Sequence, residues 1–247
     1  MLLRRVVEHT KAQNWFAVAL DFLIVVVGVV IGIEVANWNQ ARQDRQEERR
    51  YYGQLLIDLR RDLDSFSFAQ KKAGEFDKAA ELVLAKIEGR PAAGIPPGRL
   101  ATAIHHAGFI FVPRASRGTY DELVSTGNLG LLRDRRIKSE IAEYYEGFDA
   151  IRQWDTLLRS QQSIYWDYTA GILPPPVLRA AVRGTDPILT SEQEGEIWRS
   201  ARSRSRLSDL TVGMAAHQER VRRDAERHSV RAARLIDAIE QHLEDSA

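Results

Sequence analysis

An uninterrupted apolar run, Phe22-Leu23-Ile24-Val25-Val26-Val27-Gly28-Val29-Val30-Ile31-Gly32-Ile33, constrains this chain more than any other feature. Its twelve residues alone are too few to cross ~30 Å of hydrocarbon. The flanks supply the rest, because from Trp15 to Trp38 the only acidic residues are Asp21 and Glu34. At ~1.5 Å per helical residue that stretch spans roughly 34 Å and sets both indoles at the headgroup level as interface anchors. Hydrocarbon gives backbone polar groups no water, so a lone segment of this kind must be helical in spite of its β-branched valines. A buried core helix needs no aromatic residue at each end. A cleaved signal peptide would need a small-residue cleavage pattern, which Ile33 to Asn39 lacks. The segment reads as an uncleaved single-pass anchor.

Basic residues flank the span on both sides, Arg4, Arg5 and Lys11 before it and Arg42, Arg45, Arg49 and Arg50 after it, so the positive-inside count is balanced. Long domains are exported largely regardless of charge, which favours the N-terminus inside and the bulk of the chain outside a bacterial inner membrane. Gly28, Gly32 and Ala36 form a small-residue stripe that lets two helix backbones approach closely, so a homo-oligomer is expected through them. Asp21 precedes Gly28 by two turns and shares its face, where it reads as an interfacial carboxylate or as an intramembrane functional one. Glu34 lies on another face, one turn from Trp38, within snorkelling reach of the headgroups.

The rest of the chain predicts an all-α fold. Eight prolines and sixteen glycines punctuate 247 residues rich in helix formers. A formal charge of +1, from 35 basic and 34 acidic residues, argues against a nucleic-acid partner. With no cysteine there is no disulfide, thiolate nucleophile or cysteine-ligated metal. Five regions follow: a tail (1–14), the transmembrane helix (15–38), a charged stalk and second helix (39–90), a central helical region (91–190) and a long C-terminal helix (191–247). The stalk carries an apolar stripe at Tyr52, Leu56, Leu59, Leu63 and Phe66, and the second helix is expected over Glu75 to Glu88. Short helices are expected over Arg99–Ala107 and before Gly127-Asn128, and a long one over Asp134–Thr169 that Leu173-Pro174-Pro175-Pro176 stops. Ser191 with Glu194 reads as the N-cap of a final helix running to Glu244. Its heptad-spaced Leu207, Leu210, Met214, His217, Val221, Ala225, His228, Ala232, Leu235, Ile239 and Leu243 suit a coiled-coil partner, either the chain's own stalk or another subunit.

No cluster compels a chemistry. His105-His106 point ~100° apart on a helix and lack the spacing of a helical zinc site. Ser116, Ser125 and Ser163 stand in no nucleophile elbow, and no phosphate-binding glycine loop occurs. Asp58, Asp62 and Asp64 alternate with arginines and read as paired or solvated surface carboxylates. Tyr144, Tyr145, Trp154, Tyr165, Trp166 and Tyr168 read as core packing rather than a ligand pocket. No catalytic residue, cofactor or metal is expected.

Several of these features occur together in one family. Asp21, Gly28, Gly32 and Asn37-Trp38-Asn39, the charged stalk Arg42 to Arg50, Thr119-Tyr120-Asp121-Glu122-Leu123, Ser125-Thr126-Gly127-Asn128-Leu129 and Tyr144-Tyr145 resemble a family of uncharacterised bacterial single-pass membrane proteins. The resemblance covers about the first 170 residues, with Glu34 where the family pattern has a neutral polar residue. It implies an architecture and no reaction. The leading functional reading is a non-enzymatic, membrane-anchored oligomeric scaffold or sensor-like protein that presents its helical domain to a partner. The alternative is an ion-coupled subunit that uses Asp21 beside a polytopic membrane protein, and the third is a membrane-surface hydrolase.

Overall fold

A computed structural model of the chain describes residues 15–246. The tail of residues 1–14, with Arg4, Arg5 and Lys11, lies outside the described residues, as do the side chains of Trp15 and Ile151. Seven α-helices and one 3-10 turn make up the described chain, with no strand among the described residues, so the fold is all-α. Two units are distinguished, one ending at Tyr51 and one beginning at Tyr52.

Helix α1 runs unbroken from Trp15 to Ile87, 73 residues, where the sequence suggested a stalk and a separate second helix. Gly53 and Gly74 interrupt nothing. A glycine costs a helix about 1 kcal/mol, and burial of Ala69, Ala73, Ala80 and Val83 around Gly74 offsets that cost. In the N-terminal unit every described side chain from Ala19 to Gln43 is exposed. That helix is long and apolar enough to cross a membrane by length and composition.

In the second unit three long helices form the frame. Helix α2 (Pro97–His106) and helix α3 (Gly118–Ser125) precede helix α4 (Arg135–Thr169). Helices α5 (Pro175–Val182) and α6 (Ser191–Arg202) lead to helix α7 (Leu207–Asp245). Asp62 meets Tyr144 and Phe66 stacks on Phe148, so α4 runs parallel to α1. Tyr52 meets His242, Arg60 bonds Glu240 and Phe66 meets His228, so α7 runs antiparallel to α1. The heptad positions Leu207, Met214, Val221, Ala225, His228, Ala232, Leu235 and Ile239 are buried within the chain's own fold, against α4 among others. Leu210, His217 and Leu243 are half-buried. The stripe that suited a subunit contact is thus used internally.

At the other end of this unit, α2, α5 and α6 close over the ends of α1, α4 and α7 around Trp198, Ile104, Tyr165 and Leu100. Gly98 is required there, because a Cβ on it would lie 1.8 Å from the Pro187 carbonyl oxygen. Three local expectations are corrected here. The prolines that end α4's run also begin α5, with Pro174 at its N-cap; proline suits a first turn because that turn needs no intrahelical N–H. Helix α6 is capped by Thr190 rather than Ser191. The Thr190 hydroxyl accepts from the Gln193 N–H at 3.2 Å and the Gln193 side-chain oxygen accepts from the Thr190 N–H at 3.0 Å, a capping box one residue early. The final helix is two helices, broken at residues 203–206. Arg206 N–H donates to the Tyr168 hydroxyl at 2.9 Å and Arg204 donates to the Ala170 carbonyl at 3.1 Å, so the end of α4 satisfies the break.

Candidate functional site

Of the three carboxylates expected at the surface, Asp64 is exposed and the other two are not. Asp62 is fully buried and Asp58 nearly so. The core face of α1 steps through Leu55, Leu59, Asp62, Phe66, Ala69 and Ala73 in alternating fours and threes, and Asp62 occupies a seam position of that series. Asp58 lies one turn earlier beside it. Both reach the segment that leads into α3. Asp62 accepts from the Ser116 N–H and from the Tyr144 hydroxyl, each at 2.7 Å. Asp58 accepts from the Thr119 hydroxyl at 2.6 Å and the Thr119 N–H at 3.3 Å. Asp58 therefore caps α3 from another helix, where the positive end of the helix dipole favours an anion.

The clasp is completed from α4. The Tyr145 hydroxyl donates to the Ser116 carbonyl at 3.1 Å, while Tyr120 stacks on Tyr145 at 4.4 Å. Arg117 donates to the Tyr145 carbonyl and to Asp149, and pairs with Asp121. Burial pushes the Asp62 carboxyl above its usual range, and the Ser116 and Tyr144 hydrogen bonds oppose that shift. Burial also drives the Tyr144 and Tyr145 phenols far up, and the Asp62 charge adds to it. Among the described residues Asp62 has no cationic partner; its hydrogen bonds to neutral donors take that place. Charge-assisted bonds of this kind are worth about 1.5–3 kcal/mol each against a desolvation cost of several. The arrangement holds the segment 116–119 to the bundle and keeps its phenols protonated.

No family model, characterised protein or solved structure matches this chain. The segment Thr119 to Leu123, together with Tyr144 and Tyr145, forms the clasp: Leu123 is buried, Gly127 adopts φ +74° after α3, and Leu132 returns to the core. Beside it lies a groove of about 360 Å³ lined by Arg114, Arg117, Phe148, Asp149 and Asp155, with two charges of each sign.

The other singled-out residues fall in separate places. Trp15 opens α1, and Asp21, Gly28, Gly32, Glu34, Ala36 and Trp38 all lie on its exposed N-terminal stretch. A Cβ on Gly28 or Gly32 would meet nothing within 4 Å. His105 stacks on Trp166, its ring centroid 5.8 Å away, and burial lowers its basicity. His106 turns to the Ala181 carbonyl at 3.1 Å. Of the aromatic residues read as core, Tyr144, Tyr145 and Tyr165 are buried and Trp166 and Tyr168 half-buried. Trp154 is not core: it is 42% exposed, with the Arg220 guanidinium 3.9 Å from its ring centroid.

Proposed function

We propose that this chain is a membrane-anchored, non-enzymatic scaffold, oligomeric through its anchor, that holds a rigid helical unit at a bacterial inner membrane for a partner protein to engage. The N-terminus lies inside and the helical unit outside. The observation that carries the reading is the uncovered apolar surface of α1: Phe22 is 70% exposed, Val25 63% and Val29 57%, and the neighbouring large apolar side chains resemble them. At about 25 cal/mol per Å² a surface of this size is strongly unfavourable in water and favourable in lipid. The Gly28, Gly32 and Ala36 stripe supports close pairing of two such helices. The buried clasp supports a structural role for the most distinctive central residues, since its polar groups are directed at each other.

Membrane fractionation and cysteine crosslinking test the reading in one preparation, because the native chain has no cysteine. The full chain is expected to resist alkaline extraction, and Gly28→Cys to give a disulfide-linked dimer in membranes. A chain that appears in the soluble fraction without detergent defeats the anchor; a monomeric Gly28→Cys protein in membranes defeats pairing through the anchor.

A further inference from the structure

The charged stretch of α1 that follows Trp38 is sorted by sign around the helix. Trp38, Arg42, Arg45 and Arg49 follow one another at steps of four, three and four, which places them on one face. The three carboxylates of the same stretch, Asp44, Glu47 and Glu48, lie roughly 100–160° around the helix from that face. Exposure divides in a similar way. Trp38, Arg42, Arg45 and Arg49 are exposed, whereas Glu48 is buried and Asp44 half-buried; Glu47 alone of the carboxylates is open. Asp44 accepts from the Gln40 amide at 2.8 Å. Among the described residues neither Arg42 nor Arg45 has an ion-pair partner. Arg49 has a contact of its own, and Arg50, off the stripe, lies over the Tyr51 ring at 4.6 Å. On the other side of Trp38 the nearest carboxylate is Glu34, ~12 Å along the axis from Arg42.

We propose that Trp38, Arg42 and Arg45 form a binding site for the phosphate group of an anionic glycerophospholipid. The inference rests on the span proposed above, which sets Trp38 at the headgroup level. Arg42 and Arg45 then stand ~6 and ~10 Å beyond it along the axis. Side chains on a helix lean toward its N-terminus, which is here the bilayer side, so both guanidinium groups are carried back toward the phosphates. At a spacing of three residues their Cβ atoms are ~5–6 Å apart, and two like charges so placed repel unless an anion lies between them. No carboxylate of the chain supplies that anion, because the acidic residues are on the other faces. A guanidinium fork matches two phosphate oxygens, and two forks can share one headgroup. The Trp38 ring packs on the upper acyl chain while its indole N–H can donate to an ester carbonyl. A zwitterionic lipid brings an ammonium group that offsets its own phosphate, so the stripe favours lipids with a net negative charge.

The test titrates the detergent-solubilised full-length chain with phosphatidylglycerol or phosphatidylcholine and counts bound lipid by native mass spectrometry. Each guanidinium near anionic lipid is worth about fivefold in affinity, so phosphatidylglycerol is expected to bind at least fivefold better than phosphatidylcholine. The double variant Arg42→Gln/Arg45→Gln should lose that preference. Arg179→Gln, which removes one exposed charge from α5, should keep it, and both variants should keep the circular-dichroism signal of the native chain. Equal binding of the two lipids, or a preference that survives in the double variant, overturns the inference. Inorganic phosphate in tenfold excess over lipid should leave the phosphatidylglycerol adducts in place; their displacement assigns the two arginines to free phosphate and overturns the lipid assignment. Alkaline extraction of membranes from the same cells keeps the two readings apart. Alkali-resistant chain with equal lipid binding defeats this inference alone, whereas alkali-released chain that still prefers phosphatidylglycerol defeats the span and leaves the headgroup site.

Discussion

Asp62 shows how much one residue's surroundings decide. Replacing it with alanine leaves the Ser116 N–H and the Tyr144 hydroxyl buried without their acceptor. The expected loss is roughly 2–4 kcal/mol, read from the denaturation midpoint of the detergent-solubilised protein. Asp62→Asn keeps an acceptor and should cost less. The carboxyl is raised above 3.8 in the fold, so its contribution to stability is full below the unfolded value and is lost as pH rises through the folded value. The stability of Asp62→Asn relative to wild type should accordingly improve as pH rises from about 4 through the folded value. A difference that stays flat with pH would refute the raised carboxyl. His228 acts in the opposite sense: burial lowers its affinity for a proton, so its contribution is lost as pH falls below 6.5. At Gly98, space is the issue. Gly98→Ala would drive a methyl into the Pro187 carbonyl, and a loss of at least ~1–3 kcal/mol is expected in the same denaturation assay.

At the scale of elements, caps and breaks show where local chemistry suffices. Asp134 was legible as the start of α4, and its carboxylate accepts from the Arg136 and Ile137 N–H groups at 2.8 and 3.0 Å. Asp134→Ala should cost about 1 kcal/mol in thermal or chemical unfolding, with little change in helix content. Those bonds hold the carboxyl below its usual value, so this contribution is present above 3.8 and lost as pH falls through the folded value. The break between α6 and α7 was not legible, because residues 203–206 contain neither proline nor glycine and the groups that satisfy it, Tyr168 and Ala170, come from the last turn of α4 and its C-cap. Helix α5 was hidden for a different reason. Proline stops one helix and starts another equally well, and burial of Val177 and Ala181 beneath α2 decides which.

For the whole molecule, the proposed anchoring turns on the transfer of the exposed apolar stretch of α1 from water to lipid. A charge placed at its middle tests that quantity directly. Val29→Arg should weaken membrane integration by about 2.5–3.5 kcal/mol on insertion scales and shift chain into the alkali-extractable fraction; unchanged extraction would argue against a span centred there. The heptads of α7 and the exposed Trp154, Leu157 and Ile164 of α4 make a contrast at this scale. Both have the period of a pairing helix, yet one is buried inside the fold and the other is left open. Period alone does not distinguish them.

The sequence by itself determined the properties that depend on neighbours along one helix: the all-α class, the anchor-length apolar run and most helix ends, among them the stop before Gly127. Only the tertiary structure decided what depends on groups distant in the chain. It took Asp58 and Asp62 from an apparent surface into a clasp, occupied the C-terminal heptads internally and left Trp154 exposed. A side chain's periodicity sets which face it occupies, whereas the cost of burying it is met by donors and apolar surface brought from other helices.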